Sequence, residues 1–190
     1  MALEDVGCQE VDLISAERRV QLKRNIPDIY NYQSMAYVGA RNRGFLFGQE
    51  FFDAGYKITV IEAFDKNVNY LKSIDIVDRV VHLDILKLAA SKVIDEQFDV
   101  VMWIHGPEHV VTDDFIKVLP SLEKITRKHL ILMCPWGRYE QDAIYGNPYE
   151  VHKEAYYPEF FSKLGFSFET LGQKDVEGSN LMSWKSKERE

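Results

Sequence analysis

Residues 35–62 combine a short apolar strand, a glycine turn, a helical segment and a second apolar strand. The first strand ends at Gly39, and the second, residues 58–61, is apolar except for Thr59 and is followed at once by Glu62. Nearly continuous apolar strands are typical of a parallel sheet that is covered on both faces. In such a sheet the turn and Glu62 lie side by side at the carboxyl ends of neighbouring strands, where ligands bind.

Strands and helices continue to alternate after this unit. Further strands are predicted at 79–83, 98–104 and 129–133, and helices at 11–23, 47–55, 67–73, 86–94, 113–127 and 158–164. Segments 166–171 and 180–184 indicate an antiparallel hairpin. This order predicts an α/β fold, a three-layer Rossmann-like sandwich with a mostly parallel seven-stranded sheet and an antiparallel C-terminal hairpin strand. A single domain is expected over residues 1–190, with an N-terminal arm and helix in 1–30 and a charged tail at 185–190.

Charge and composition narrow the classes of partner. The net charge is -7, and no block of Lys and Arg is present. This argues against a basic groove for nucleic acid or anionic lipid. The sequence shows no signal-peptide pattern and no apolar run near the ~20 residues that span a membrane. Cys8 and Cys134 show no disulfide or zinc spacing. We therefore expect a cytoplasmic protein without a metal constellation, acting on a small molecule or a protein.

Two carboxylates follow neighbouring predicted strands. Glu62 closes the second strand and Asp84 closes the third. A carboxylate can accept hydrogen bonds from both hydroxyls of a ribose. The spacing between the glycine turn and Glu62 approaches the ~20 residues of nucleotide-binding patterns. Either residue could be a solvated strand-end acid, but together they favour a ligand that contains a nucleoside.

Polar residues also follow the fourth strand. His105, Glu108 and His109 stand there and could act as a base or orient one. For His109 we favour a capping or packing role on the next helix, whereas His105 could equally be structural or functional. Asp113 and Asp114 are read as a helix start.

The aromatic segment, residues 136–157, is longer than the ~12–15 residues beyond which structureless loops are uncommon and often functional. It contains His152 and six aromatic residues, Trp136, Tyr139, Tyr145, Tyr149, Tyr156 and Tyr157. Aromatic rings with polar tips suit an acceptor pocket or a lid. The alternative is a surface loop that is held in place by its own aromatic rings.

Taken in order, these landmarks resemble the class I S-adenosylmethionine-dependent methyltransferases. The resemblance covers residues 30–184. It is based on the turn Val38-Gly39-Ala40, the acids Glu62 and Asp84, the segment 98–110 and the terminal hairpin. Segments 146–152 and 158–166 resemble a subset of the same family.

The resemblance implies transfer of a methyl group from S-adenosylmethionine to a small-molecule acceptor. Gly39 would contact the methionine end of the cofactor, Glu62 the ribose, and Asp84 with Ile85 the adenine. The implied cofactor-binding residues are Val38, Gly39, Ala40, Arg41, Glu62, Ala63, Asp84, Ile85, Trp103 and Ile104. If the acceptor must lose a proton, His105 and His152 are the candidate bases. Candidate acceptor-binding residues are Glu108, Trp136, Tyr139 and Tyr149.

The glycine turn departs from the family pattern. Tyr37 stands where an acid is usual, and Arg41 and Arg43 replace glycines. An arginine could meet the carboxylate of the cofactor directly or could point into solvent. The altered turn also supports a second hypothesis, a cofactor-binding or scaffold protein without activity. A third, a nicotinamide-dependent oxidoreductase, is disfavoured because the turn lacks the G-x-G-x-x-G pattern.

Overall fold

A computed structural model describes residues 8–40 and 47–187, with the side chains of the first helix described from residue 16 onward. The helices are α1 Cys8–Asn25, α2 Gly48–Asp53, α3 Asp65–Leu71, α4 Thr112–Ile125 and α5 Pro158–Lys163. The strands are β1 Ser34–Val38, β2 Lys57–Glu62, β3 Arg79–His82, β4 Phe98–Ile104, β5 Thr126–Cys134, β6 Ser167–Leu171 and β7 Asn180–Ser186. Short 3-10 helices lie at Ile85–Lys87, Pro107–His109 and Pro148–Glu150.

The strands form one seven-stranded sheet in the order β3-β2-β1-β4-β5-β7-β6. Strands β1 to β5 are parallel, and β7 runs antiparallel between β5 and β6. The predicted α/β fold is therefore confirmed, including the hairpin. The hairpin is inserted so that its second strand, not its first, pairs with β5.

The register of the sheet brings three strand ends together. Val38 lies opposite Ile61 on β2 and opposite Trp103 on β4. The N–H of Gly39 then donates to the carbonyl of Ile61 at 2.9 Å, which fixes the start of the glycine turn. Because parallel strands end at the same edge, the turn, Glu62 and the residues after β4 share one crevice.

Each face of the sheet carries its own apolar core. Ala36 and Val38 of β1 pack with Phe115 of α4 and Phe161 of α5. The intervening residues Met35 and Tyr37 point to the opposite face, where Leu22 of α1 and Phe51 of α2 lie. This alternation along β1 is the two-residue period of a strand. It produces the predicted three layers.

Helix α1 is more deeply packed than a surface helix. Leu22 is buried in the core, and the Gln21 amide donates to the carbonyl of Glu169 on β6 at 3.0 Å. The amide of Asn180 on β7 donates to the Gln21 side-chain oxygen at 3.0 Å. The helix is thus attached to the hairpin, which places its residue Arg18 at the edge of the sheet. None of the described helices has both the length and the apolar composition needed to cross a bilayer.

The helix predicted at 86–94 is wrong. The structure has the 3-10 helix Ile85–Lys87 and turns after it. Leu88 and Ile94 of the predicted range are buried, but the residues between them form turns and irregular structure. The hydroxyl of Ser91 accepts the N–H of Val93 at 3.1 Å. Such local side-chain hydrogen bonds compete with helix formation.

Candidate functional site

A cleft of about 850 Å³ opens at the carboxyl edge of the sheet. We divide its lining into two parts. The strand-end half is lined by Val38, Gly39, Glu62, Ala63, Asp84 and Ile85, and the histidine half by Arg18, His105, Glu108, His109, Tyr139 and His152. Trp103 and Ile104 lie between the two halves, at the end of β4. A cleft of this volume is in the range of small-molecule and cofactor sites.

The floor of the cleft is the indole ring of Trp103. A Cβ on Gly106 would lie 1.7 Å from the Trp103 Nε1, and one on Gly39 would lie 3.9 Å from the same atom. The indole also stacks on Phe115 of α4 at an interplanar angle of 10°. Gly39 has a φ of +71°, a conformation that a residue without a Cβ adopts at least cost. Gly106 therefore lets the backbone approach the indole closely, whereas Gly39 is favoured by its positive φ, since a Cβ there would make only an ordinary contact.

Glu62 is a buried carboxylate in the strand-end half, 4% exposed. Its Oε1 accepts the N–H of Phe64 at 2.7 Å. Burial raises the pKa of Glu62, and hydrogen bonds from Phe64 and Asn67 oppose that rise only in part. Glu150 of the aromatic segment raises this pKa further by charge repulsion. The carboxylate is thus oriented before any ligand binds.

Asp84 and Ile85 form the adjoining wall. Asp84 Oδ1 accepts the N–H of Leu86 at 3.0 Å and so caps the 3-10 helix. Ile85 is buried and adds an apolar surface to the cleft lining. A flat apolar ring of a ligand can pack on such a surface while polar groups fix its position.

Glu108 lies at the centre of the histidine half. Its side chain is 3% exposed, and its Oε1 is 3.3 Å from the Nδ1 of His105. The other oxygen, Oε2, is buried and has no hydrogen-bond partner among the described residues. Burial raises the pKa of Glu108. His105 has a φ of +49°, which is uncommon for a residue with a Cβ and is found more often at functional sites.

Backbone hydrogen bonds attach the aromatic segment to the residues after β4. The carbonyl of Glu108 accepts the N–H of Lys153 at 2.8 Å and that of Glu154 at 3.2 Å. The Glu154 carboxylate accepts the hydroxyl of Thr112 at 2.8 Å and its N–H at 3.2 Å. These contacts, which we call the clamp, bring the Nε2 of His152 to 4.0 Å from the Oε1 of Glu108. Residues 150–154 therefore form a fixed wall of the cleft.

The predicted site residues do not all share this cleft. Tyr139, Tyr149 and His152 line it, whereas Trp136 packs against the hydrophobic core on the α4 side of the sheet. Arg41, together with Arg43, lies outside the described residues. All other predicted cofactor-binding residues line the cleft, except Ala40, which is buried in the opposite core.

Other lining residues were not predicted from the sequence. They include Arg18, His109, Gln141, Asn147 and Glu150. His109 lines the cleft, and it also contacts the carbonyl of Val151 and the ring of His152. The ligand atoms of Glu108, His109 and His152 lie within 4.8 Å of one another. Sequence spacing does not reveal this group, because His152 reaches it only through the clamp.

Comparison with known proteins identifies the fold. No protein-family model and no curated protein sequence matches this chain. Solved structures do match. The DhpI–SAH complex has a TM-score of 0.66 at 14% identity, over 97% of this chain and 91% of that one. A SAM-dependent methyltransferase from Archaeoglobus fulgidus has a TM-score of 0.57 at 16% identity. The match covers 90% of this chain and 94% of that one. Magnesium protoporphyrin IX methyltransferase from Synechocystis PCC 6803, with bound SAM, has a TM-score of 0.60 at 11% identity. The match covers 97% of this chain and 85% of that one.

The chain therefore has the fold of the class I S-adenosylmethionine-dependent methyltransferases. At these identities the similarity is one of fold. What this particular protein does must be argued from its own residues.

Proposed function

We propose that the protein is an S-adenosylmethionine-dependent methyltransferase that acts on a small-molecule acceptor. The cofactor would occupy the strand-end half of the cleft, and the acceptor would occupy the histidine half. The observation that carries this proposal is the buried Glu62 carboxylate beside the turn at Gly39, both lining one cleft. Several structural neighbours were solved with SAM or SAH bound.

The residues of the strand-end half fit the cofactor. Glu62 offers a pre-oriented carboxylate that can accept hydrogen bonds from two ribose hydroxyls. Ile85 offers an apolar face for adenine, and the Asp84 side chain lies beside it. Gly39 would allow the methionine portion to approach the backbone, since a glycine has no side chain of its own in the way. Val38, Ala63, Trp103 and Ile104 would complete the contacts.

When bound, S-adenosylmethionine supplies an electrophilic methyl group that an acceptor oxygen, nitrogen or carbon attacks in line. The chain itself must align the acceptor and exclude water. Tyr139 and Tyr149 also line the cleft. Their rings combine an apolar face and a polar tip, which suits contact with an acceptor. A protonated acceptor must also lose its proton, and His105 and His152 are placed in the histidine half to take it.

A thermal-shift experiment tests this function directly. S-adenosylhomocysteine should raise the melting temperature, because a ligand at 100 times its Kd stabilises a protein by about 2.7 kcal/mol. NAD should have no effect at the same concentration. Stabilisation by NAD and not by S-adenosylhomocysteine would point to an oxidoreductase. If neither ligand binds, the proposed function is refuted.

A further inference from the structure

The histidine half contains an acid and two imidazoles whose ligand atoms converge. Glu108, His109 and His152 each present one such atom, and all three lie within 4.8 Å of one another. Glu108 is almost completely buried, yet its Oε2 has no hydrogen-bond partner among the described residues. An unpaired carboxylate oxygen in a buried site costs free energy, so buried charges are normally paired or bind metals.

Both histidines are held in the orientation that a metal ligand requires. The His109 Nδ1 lies 3.2 Å from the carbonyl of Val151, and the His152 Nδ1 lies 2.6 Å from the carbonyl of Tyr139. A carbonyl only accepts hydrogen bonds, so each Nδ1 carries a hydrogen, and in the neutral imidazole the lone pair is then on Nε2. Metal-binding histidines almost always donate their other N–H in this way.

The group is also rigidly assembled. Glu108 and His109 lie on the 3-10 helix Pro107–His109, which begins with a proline. His152 lies on the aromatic segment, which the clamp attaches to the same short helix. The rings of His109 and His152 meet edge to face, with centroids 4.9 Å apart. A preformed set of ligands binds a cation more tightly than a flexible one, because less conformational entropy is lost.

We propose that Glu108, His109 and His152 bind one divalent transition-metal cation, with Zn²⁺ as the reference ion. Two imidazoles and one carboxylate suit Zn²⁺ and other first-row divalent ions. Three protein ligands leave coordination positions open, as in catalytic rather than structural zinc sites. The open positions would face the cleft that all three residues line.

The main alternative is a structural carboxylate without a metal. His105 Nδ1 is 3.3 Å from the Glu108 Oε1, and the positive charge of Arg18 also favours the ionised form of Glu108. Arg18 weakens the affinity for a cation by repulsion. These two groups leave the Oε2 of Glu108 unpaired, and they do not explain why the two imidazoles converge on this carboxylate.

The site has a consequence that rests on the proposed methyltransferase function. A cation held here would bind an acceptor through an oxygen, such as a hydroxyl or a carboxylate. A metal ion lowers the pKa of an oxygen that binds to it. The acceptor class would then be oxygen-bearing small molecules. Because His152 would use its Nε2 lone pair on the metal, it could not also act as the base, and the proton of a metal-bound hydroxyl would pass to His105.

Calorimetry with ZnCl₂ on untagged, chelator-treated protein tests the site without reference to activity. We expect one Zn²⁺ per chain. Glu108→Gln replaces the carboxylate by a neutral amide of the same shape, and His152→Gln removes an imidazole ligand. Each should weaken binding on the order of 100-fold or more. His82→Gln is the matched control, because it removes a half-exposed imidazole on β3 and leaves the three ligands intact. It should bind Zn²⁺ as the wild type does.

Absence of stoichiometric Zn²⁺ binding by the wild type, or unchanged binding by both ligand variants, would overturn the proposal. Far-UV circular dichroism checks that each variant is folded. If Glu108→Gln does not fold, His109→Gln and His152→Gln decide the question. The visible spectrum of the Co²⁺-loaded protein gives a second readout, since its bands report ligand number. Binding of S-adenosylhomocysteine, measured separately, shows whether the proposed function fails while the metal site holds.

Discussion

The Nε2 of His152 lies 4.0 Å from the Oε1 of Glu108, although one residue follows β5 and the other follows β4. The contact depends on the clamp, in which the Glu108 carbonyl accepts two backbone N–H groups from the aromatic segment. This wall of the cleft is thus held in place by the backbone carbonyl of Glu108 and the side chain of Glu154, and not by the side chains of His105 or His152. A substitution in the clamp can therefore test the shape of this wall while His105 and His152 are kept.

The first prediction concerns Glu154, whose carboxylate accepts two hydrogen bonds from Thr112 at the start of α4. Glu154→Ala should lower the free energy of unfolding by about 1 to 2 kcal/mol, as loss of a helix cap does. It should also accelerate hydrogen exchange at the amides of Lys153 and Glu154. Glu159→Ala, at an exposed position on α5, is the control and should change neither quantity. Unchanged exchange in Glu154→Ala would mean that the backbone bonds alone hold the wall.

The second prediction concerns the carboxylate of Glu62. Glu62→Gln should weaken binding of S-adenosylhomocysteine about 10- to 100-fold, because a hydrogen bond to a charged group contributes about 1.5 to 3 kcal/mol. Isothermal calorimetry measures the affinity. Glu96→Gln removes an exposed acid elsewhere and should leave the affinity unchanged. Equal affinity of Glu62→Gln and wild type would exclude Glu62 from the cofactor site.

The third prediction compares two glycines that constrain the chain for different reasons. Gly106 has a φ of -136°, which any residue adopts, but its Cβ would overlap the indole of Trp103. Gly55 has a φ of +85° and open space around it. Gly106→Ala should destabilise by overpacking, about 1 to 3 kcal/mol, and should alter the near-UV circular dichroism of Trp103. Gly55→Ala should lose about 1 to 2 kcal/mol without a spectral change. Identical spectra for both variants would refute this assignment of the cleft floor.

The fourth prediction concerns the pH dependence of stability through Asp99. Burial raises the pKa of Asp99, but hydrogen bonds from Gln33 and Ser34 and the charge of Arg127 outweigh it and hold the pKa below its ordinary value. A lowered pKa in the folded state stabilises the protein above the ordinary pKa of aspartate. That stabilisation is lost as pH falls through the lower, folded-state pKa.

Asp99→Asn should therefore reduce the free energy of unfolding at pH 7 by about 1 to 3 kcal/mol, as measured in urea. The difference from the wild type should shrink below about pH 4. Asp95→Asn, which changes an exposed acid before the same strand, should show no such dependence. A difference that is equal at pH 7 and at pH 3 would contradict the electrostatic explanation.

Residues whose position follows from strand order could be predicted from the sequence. Gly39, Glu62 and Asp84 each stand at or just after the carboxyl end of a strand, and parallel pairing alone brings them to one edge. The structure places all three in the cleft lining. For these three residues the sequence pattern and the strand order were sufficient, because no contact between side chains of distant segments had to be known.

The histidine half could not be predicted in the same way. Arg18 reaches the cleft because Gln21 attaches α1 to the hairpin, a contact that no periodicity indicates. His152 depends on backbone hydrogen bonds from an irregular segment, and such bonds leave no sequence signal. Trp136 was expected in the acceptor pocket as part of the aromatic segment, but it is partly buried and packs against the core on the α4 side instead.

The insertion of β7 between β5 and β6 has a consequence for how the chain is made. Residues Leu130 to Cys134 of β5 are all buried, and their outer edge pairs only with β7, which is synthesised later than every other described strand. Until β7 emerges, a growing chain carries an apolar strand with an open edge, which favours association with other chains. Release from the ribosome before that strand is complete would leave a nascent chain prone to aggregation and dependent on chaperones.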